Sequence, residues 1–82
     1  MPLARYYFHL RDGVDVILDP EGVQLEDPGM LPKLALSSAR DTLSHEMKDG
    51  CLNLGYRIDV EDETGAVVHS LALKDAFAVT GL

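Results

Sequence analysis

Three histidines, His9, His45 and His69, have the side chains best suited to proton transfer or metal binding, because imidazole titrates near neutrality and its nitrogens ligate zinc. Either task needs a carboxylate or a second histidine close by. No H-x-H, H-x-x-x-H or C-x-x-C spacing occurs, and His45 sits beside Glu46 on a predicted helix with no histidine four residues away. His9 and His69 fall on strands able to neighbour each other, which leaves one hydrolytic arrangement open. It is a small metal-dependent hydrolase built from these two histidines and the acids Asp12, Asp15, Asp19 and Glu21 around the first hairpin. Those acids do not have the spacing of a calcium loop. Asp12 and Asp19 each open a turn, where a carboxylate accepts from nearby backbone N–H groups.

Ser37, Ser38 and Ser44 lie on the same predicted helix, without the G-x-S-x-G turn that exposes a nucleophile. Cys51 follows the helix C-terminus, where the dipole opposes a thiolate, so it is expected to be a packing residue. The sequence therefore names no catalytic residue, no metal ligand and no cofactor. Its best partner-binding candidates are Tyr7 and His9 on the outer face of the first strand, with Arg57 near them, since aromatic and arginine side chains are enriched at interface hot spots. His9 is expected half-buried, its ring packed on Tyr7 or Tyr56 and its nitrogens reaching water.

The elements that must position these residues follow from periodicity and turn chemistry. Arg5 to Leu10 alternates as a strand, with Tyr6, Phe8 and Leu10 predicted on the core face. Asp12-Gly13 turns the chain into a second strand, Val14 to Leu18, which stops at Asp19-Pro20-Glu21-Gly22 and is followed by a short extended piece, Val23 to Leu25. Asp27-Pro28 signals a helix start, but Pro32 predicts a separate turn over 28–31 before the helix proper. From Pro32, Ala35, Leu36, Ala39, Leu43 and Met47 share the apolar face, and Lys33, Arg40, Asp41, Ser44 and Lys48 face water. Gly50 ends the helix. A third strand runs over Tyr56, Ile58 and Val60. After the turn Asp62 to Gly65, a fourth spans Ala66 to Leu73, with Val67, His69, Leu71 and Leu73 favoured as its buried side. The tail folds back through Phe77.

This order predicts an α+β domain of ββαββ type: a four-stranded antiparallel sheet with one helix packed on one face, the other face open. With 82 residues, 46% hydrophobic and 26% charged, the chain has room for one core and reads as a single domain over residues 1–82. So small a core leaves a stability margin on the order of 5 kcal/mol, which makes help from a second copy, and hence a homodimer, an expectation. Seven Lys and Arg against 14 Asp and Glu give a net charge of −7, which repels nucleic-acid phosphates and anionic membranes and suits a basic protein partner. A single cysteine rules out an internal disulfide, and no basic leader followed by an apolar run opens the chain, so a cytoplasmic location is expected.

The opening Arg5-Tyr6-Tyr7-Phe8-His9-Leu10-Arg11-Asp12-Gly13, the turn Asp19-Pro20-Glu21-Gly22 and Leu25-Glu26-Asp27 before an alanine- and leucine-bearing helix resemble a family of small proteins of unknown function. These are roughly eighty-residue domains, frequent in alphaproteobacteria, that open with an R-Y-F-F-H-L-R-D-G type strand. The resemblance implies a stand-alone domain and assigns no activity. The layout is also similar to the partial RNase-H-like domain of certain antitoxins, where two strands, a proline-containing loop and an amphipathic helix follow in that order. The expectation is a non-enzymatic protein-interaction or regulatory module, working through the open sheet face or an exposed strand edge. The alternatives are an antitoxin-like module that neutralises a basic partner, and the metal-dependent hydrolase above.

Overall fold

A computed structural model describes residues 3–82. Met1 and Pro2, the first residues of the expected single domain, lie outside them. The chain forms β1 (Ala4–Arg11), β2 (Val16–Ile17), β3 (Val23–Leu25), a 3-10 turn (Pro28–Met30), α1 (Leu31–Lys48), β4 (Arg57–Glu61), β5 (Val67–Ala72) and a second 3-10 turn (Leu73–Asp75). It is an α+β fold: one helix on an antiparallel sheet with the order β2-β1-β4-β5, and β3 as a fifth short strand on β1.

Strand β1 serves two short partners in sequence. β3 pairs Ala4 to Tyr6, and β2 pairs Leu10 and Arg11. The expected second strand over 14–18 thus keeps only two ladder residues. Val14 is drawn off because its N–H, like that of Asp15, donates to the Asp12 carboxylate at 2.7 Å. After Ile17 the chain leaves the ladder toward Asp19, whose N–H donates to His9 Nδ1 at 3.0 Å and whose carboxylate accepts the Phe8 N–H at 3.2 Å. Asp19 therefore fills the break in β1 pairing between β2 and β3.

Gly22 makes that return possible. Its φ is +71°, and a Cβ there would stand 2.8 Å from the Tyr6 carbonyl oxygen. Gly22→Ala combines left-handed strain with a backbone clash, and should cost about 2 kcal/mol and lower Tm by about 8–16 °C. Gly50 has a φ of +80° with open space around it, so Gly50→Ala isolates the strain alone and should cost about half as much. Thermal unfolding of both variants checks the difference.

Asp27 caps the first turn, accepting the Gly29 N–H at 2.8 Å, and the helix proper follows from Leu31. Leu31, Ala35, Ala39 and Leu43 recur every four residues and form the buried stripe. Ile58 and Val60 meet it from the sheet, and Leu73 and Ala76 close the core from the end of β5. With alanines at the two fully covered positions, the helix settles close to the sheet, over β4 and β5. Met47 lies one turn beyond Leu43 at the rim of a shallow cleft with Leu52 and Phe77, so it is 61% exposed and not in the core. Phe77 packs back against the core half-buried, whereas Cys51 is exposed and packs nothing away.

A β-bulge alters one expected face. Ile58 pairs Leu71 and Val60 pairs His69, but Glu61 pairs Val67, leaving Val68 as the extra residue. His69 and Leu71 keep to the helix side, while Val67 is shifted to the other face and is exposed. Among the described residues no helix is long and apolar enough to cross a membrane.

Candidate functional site

The outer face of the sheet is assembled by three rows of paired residues: Arg11, Arg57 and Ala72; His9, Asp59 and Ser70; Tyr7, Glu61 and Val67. Asp59 is its centre. One oxygen accepts the Ser70 hydroxyl at 2.7 Å, the other accepts Arg11 Nη1 at 3.2 Å, and Arg57 Nε reaches both at 3.1 Å. Arg11 continues to Glu61 through Nη2 at 2.7 Å. Burial pushes the Asp59 carboxyl up, but the Ser70 hydroxyl and the two guanidiniums outweigh it and hold the group below the usual carboxylate range. The Glu61 carboxylate, more than any other neighbour, raises Arg11 further.

Of the three partner candidates, Tyr7 and His9 come together as a parallel stack with centroids 6.0 Å apart. Arg57 stands on the same face, bound to Asp59, its side chain 47% exposed. His9 differs from the expectation. It is buried, with Nδ1 taken by the Asp19 N–H and Nε2 facing Glu61 at 3.7 Å, so its nitrogens meet protein where water was predicted. The reason is the Asp19 turn, which folds over the end of the imidazole. The face is open to a partner but internally saturated: no buried side-chain polar atom among the described residues lacks a hydrogen bond.

His69 lies on the opposite, helix-facing side, near Tyr6 and Leu31, so the sheet separates it from His9. Among the described residues no group of three or more His, Cys, Asp and Glu side chains could hold a metal ion. Asp12 is held below its ordinary range, first by the Asp15 N–H and then by that of Val14. For Asp19, burial pushes upward, and the N–H groups of Gly22, Phe8 and Glu21 overcome it. Both acids are spent on turns, as their positions predicted, and both stay ionised.

The second surface was not visible as a site in the sequence. Because α1 sits over β4 and β5, the inner face of β1 is only partly roofed, and Phe8 and Leu10, expected in the core, are half-buried. They line a groove of about 510 Å³ with Ile17, Leu18, Leu34 and Ile58. Ser38, Thr42 and Asp41 of the helix form its polar wall. Along β2 and the residues flanking it Val14 is 92% exposed, Val16 50%, Ile17 56% and Leu18 61%; Val16, paired with Arg11, turns to the outer face, whereas Ile17 and Leu18 line the groove. The sequence signal for it was a run of aliphatic residues between two acidic turns, too short for a half-buried strand to cover.

Residues 5–74 match the family model described as Domain of unknown function (DUF6894). The chain belongs to this family. The DUF6894 match takes in all of the helix and every strand except its first residue, Ala4, so both the outer face and the groove fall within the family's span. No curated protein and no solved structure matches the chain.

Proposed function

We propose that this DUF6894 chain is a non-enzymatic protein-binding module that engages its partner through β2 and the groove beside it. One observation carries the reading: Ile17 and Leu18, 56% and 61% exposed, line a groove of about 510 Å³ together with Phe8 and Leu10, in a chain of only 82 residues. Large exposed apolar groups gathered in one patch mark interaction surfaces, whereas scattered ones do not. The saturated outer face offers Tyr7 and Arg57 as a rim more than as an anchor, since its charges already have partners. Neutralisation of a basic protein, the antitoxin-like role, uses the same surface and is favoured by Asp12, Asp15, Asp19 and Glu21 in the flanking turns. A reducing cytoplasm suits the single exposed Cys51. The hydrolase reading draws less support, because His9 and His69, the pair it would use, lie on opposite faces of the sheet.

The test is affinity capture from the native cell with the wild-type chain, an Ile17→Asp/Leu18→Asp double variant and a Tyr7→Ala/Arg57→Ala double variant. Proteins held by the wild type should fall by about tenfold or more on the groove variant and persist on the outer-face variant. The reverse pattern would assign binding to the outer face and sink the proposal. Sedimentation of the purified chain reads whether a second copy takes the same surface.

A further inference from the structure

The partner's own shape and charge can be inferred from the edge that β2 presents, an inference that rests on the binding surface proposed above. β2 is the last strand of the sheet, so nothing pairs its far side among the described residues. The Phe8 N–H points to the Asp19 side of β1, and the Asp12 N–H donates to the Asp15 carbonyl at 3.1 Å. Backbone groups alternate direction along a strand, so Leu10 and Ile17 face each other across the β1–β2 ladder, and Val16 and Leu18 turn their N–H and C=O groups outward. An unpaired edge beside an apolar groove is the geometry that accepts an added strand, with backbone hydrogen bonds for affinity and the groove for alternate side chains.

Charge selects which strand. Asp12 and Asp15 stand in the turn before β2, and Asp19 and Glu21 in the turn after it, within a chain of net charge −7. The closest cation on the neighbouring strand, Arg11, is committed to Asp59 and Glu61. The same acids make themselves felt at Tyr56, where burial first and then Asp12 and Asp15 raise the phenol. Two copies paired β2 to β2 would bring both sets of four acids together around a two-residue ladder, and like charges placed across strands repel. A second copy is therefore the wrong occupant. We propose that the β2 edge accepts an extended segment of another protein in which aliphatic residues alternate with Lys or Arg.

Eight-residue peptides of alternating valine and lysine, and of alternating valine and glutamate, titrated into the full chain and followed by amide NMR shifts, test this. The lysine peptide should bind at least about tenfold more tightly than the glutamate peptide, weaken with salt, and shift residues 14–18 most. Val16→Pro removes an outward N–H and leaves the β1 ladder intact, so it should abolish binding while the circular dichroism spectrum is kept. Should that variant misfold, Asp12→Asn/Asp15→Asn serves instead and should flatten the salt dependence. Equal binding of both peptides, no binding of the lysine peptide, or indifference to Val16→Pro in a folded variant would overturn the basic-strand inference. If Ile17→Asp/Leu18→Asp still releases the captured proteins in that event, the groove reading survives alone. A concentration-dependent dimer abolished by Val16→Pro would instead identify a second copy as the occupant and overturn the inference.

Discussion

Leu73→Ala is expected to lower unfolding free energy by about 3 kcal/mol and Tm by about 12–24 °C. Leu73 is completely covered, directly follows β5, and packs with the helix stripe and Ala76. It donates its N–H to the Tyr56 carbonyl at 3.0 Å, so its backbone is fixed and cannot move in to fill the space the missing side chain leaves. The helix alanines of the same buried cluster, Ala35 and Ala39, have no long side chains with which to fill that space either. In a domain with a margin on the order of 5 kcal/mol, the variant should be measurably unfolded near 40 °C, and urea titration reads the loss directly. A loss below about 1 kcal/mol would mean that the helix can shift toward the sheet, and that its position over β4 and β5 is soft.

The second large effect is expected at Asp59. Asp59→Asn keeps the size of the side chain but removes its charge and turns an amide donor toward Arg11 or Arg57. The cost should be about 2 kcal/mol at neutral pH, below the ~3–5 kcal/mol of a fully buried broken pair because both arginines can reach water. The pH dependence identifies the cause. Asp59 has a lowered pKa in the folded chain, so its contribution is present above the unfolded value near 4 and is lost as pH falls through the folded value. Urea midpoints of wild type and variant should therefore differ most at neutral pH, begin to approach each other near pH ~4 and converge only below the lowered folded value. A gap that stays constant down to acid would point to packing in place of charge. Asp19 has a lowered pKa as well, so acid should also release the Asp19 turn that sits between β2 and β3.

How far the residues announced this fold varies by element. Asp27, Gly50 and the Asp12 and Asp19 turns act locally, through bonds within a few residues, and each is found doing what its position predicted. The α1 stripe and the charged face of β4 follow from periodicity over short windows. Periodicity misled at Val67, because one extra residue in β5 reverses the parity of what precedes it, and nothing in the sequence of β5 alone marks the bulge. It misled at Met47 because a periodic helix face continues past the end of the sheet it covers. The candidates Tyr7, His9 and Arg57 were read from the correct face, but the burial of His9 depends on Asp19 ten residues away.

Composition and local patterning by themselves determined the α+β class, the order of the elements, their caps and the acidic character of the β2 turns. Only the tertiary structure decided that the helix settles over β4 and β5, that a groove opens beside β1, and that Asp59 gathers two arginines and a serine. The reason is physical. Turns and amphipathic stripes are encoded by contacts between residues close in the chain, whereas the lateral seat of a helix on a sheet is set by which distant side chains fill the space between them. Here Ala35, Ala39, Leu73 and Ala76 fill it on one side, and Phe8, Leu10 and Ile17 are left at the margin.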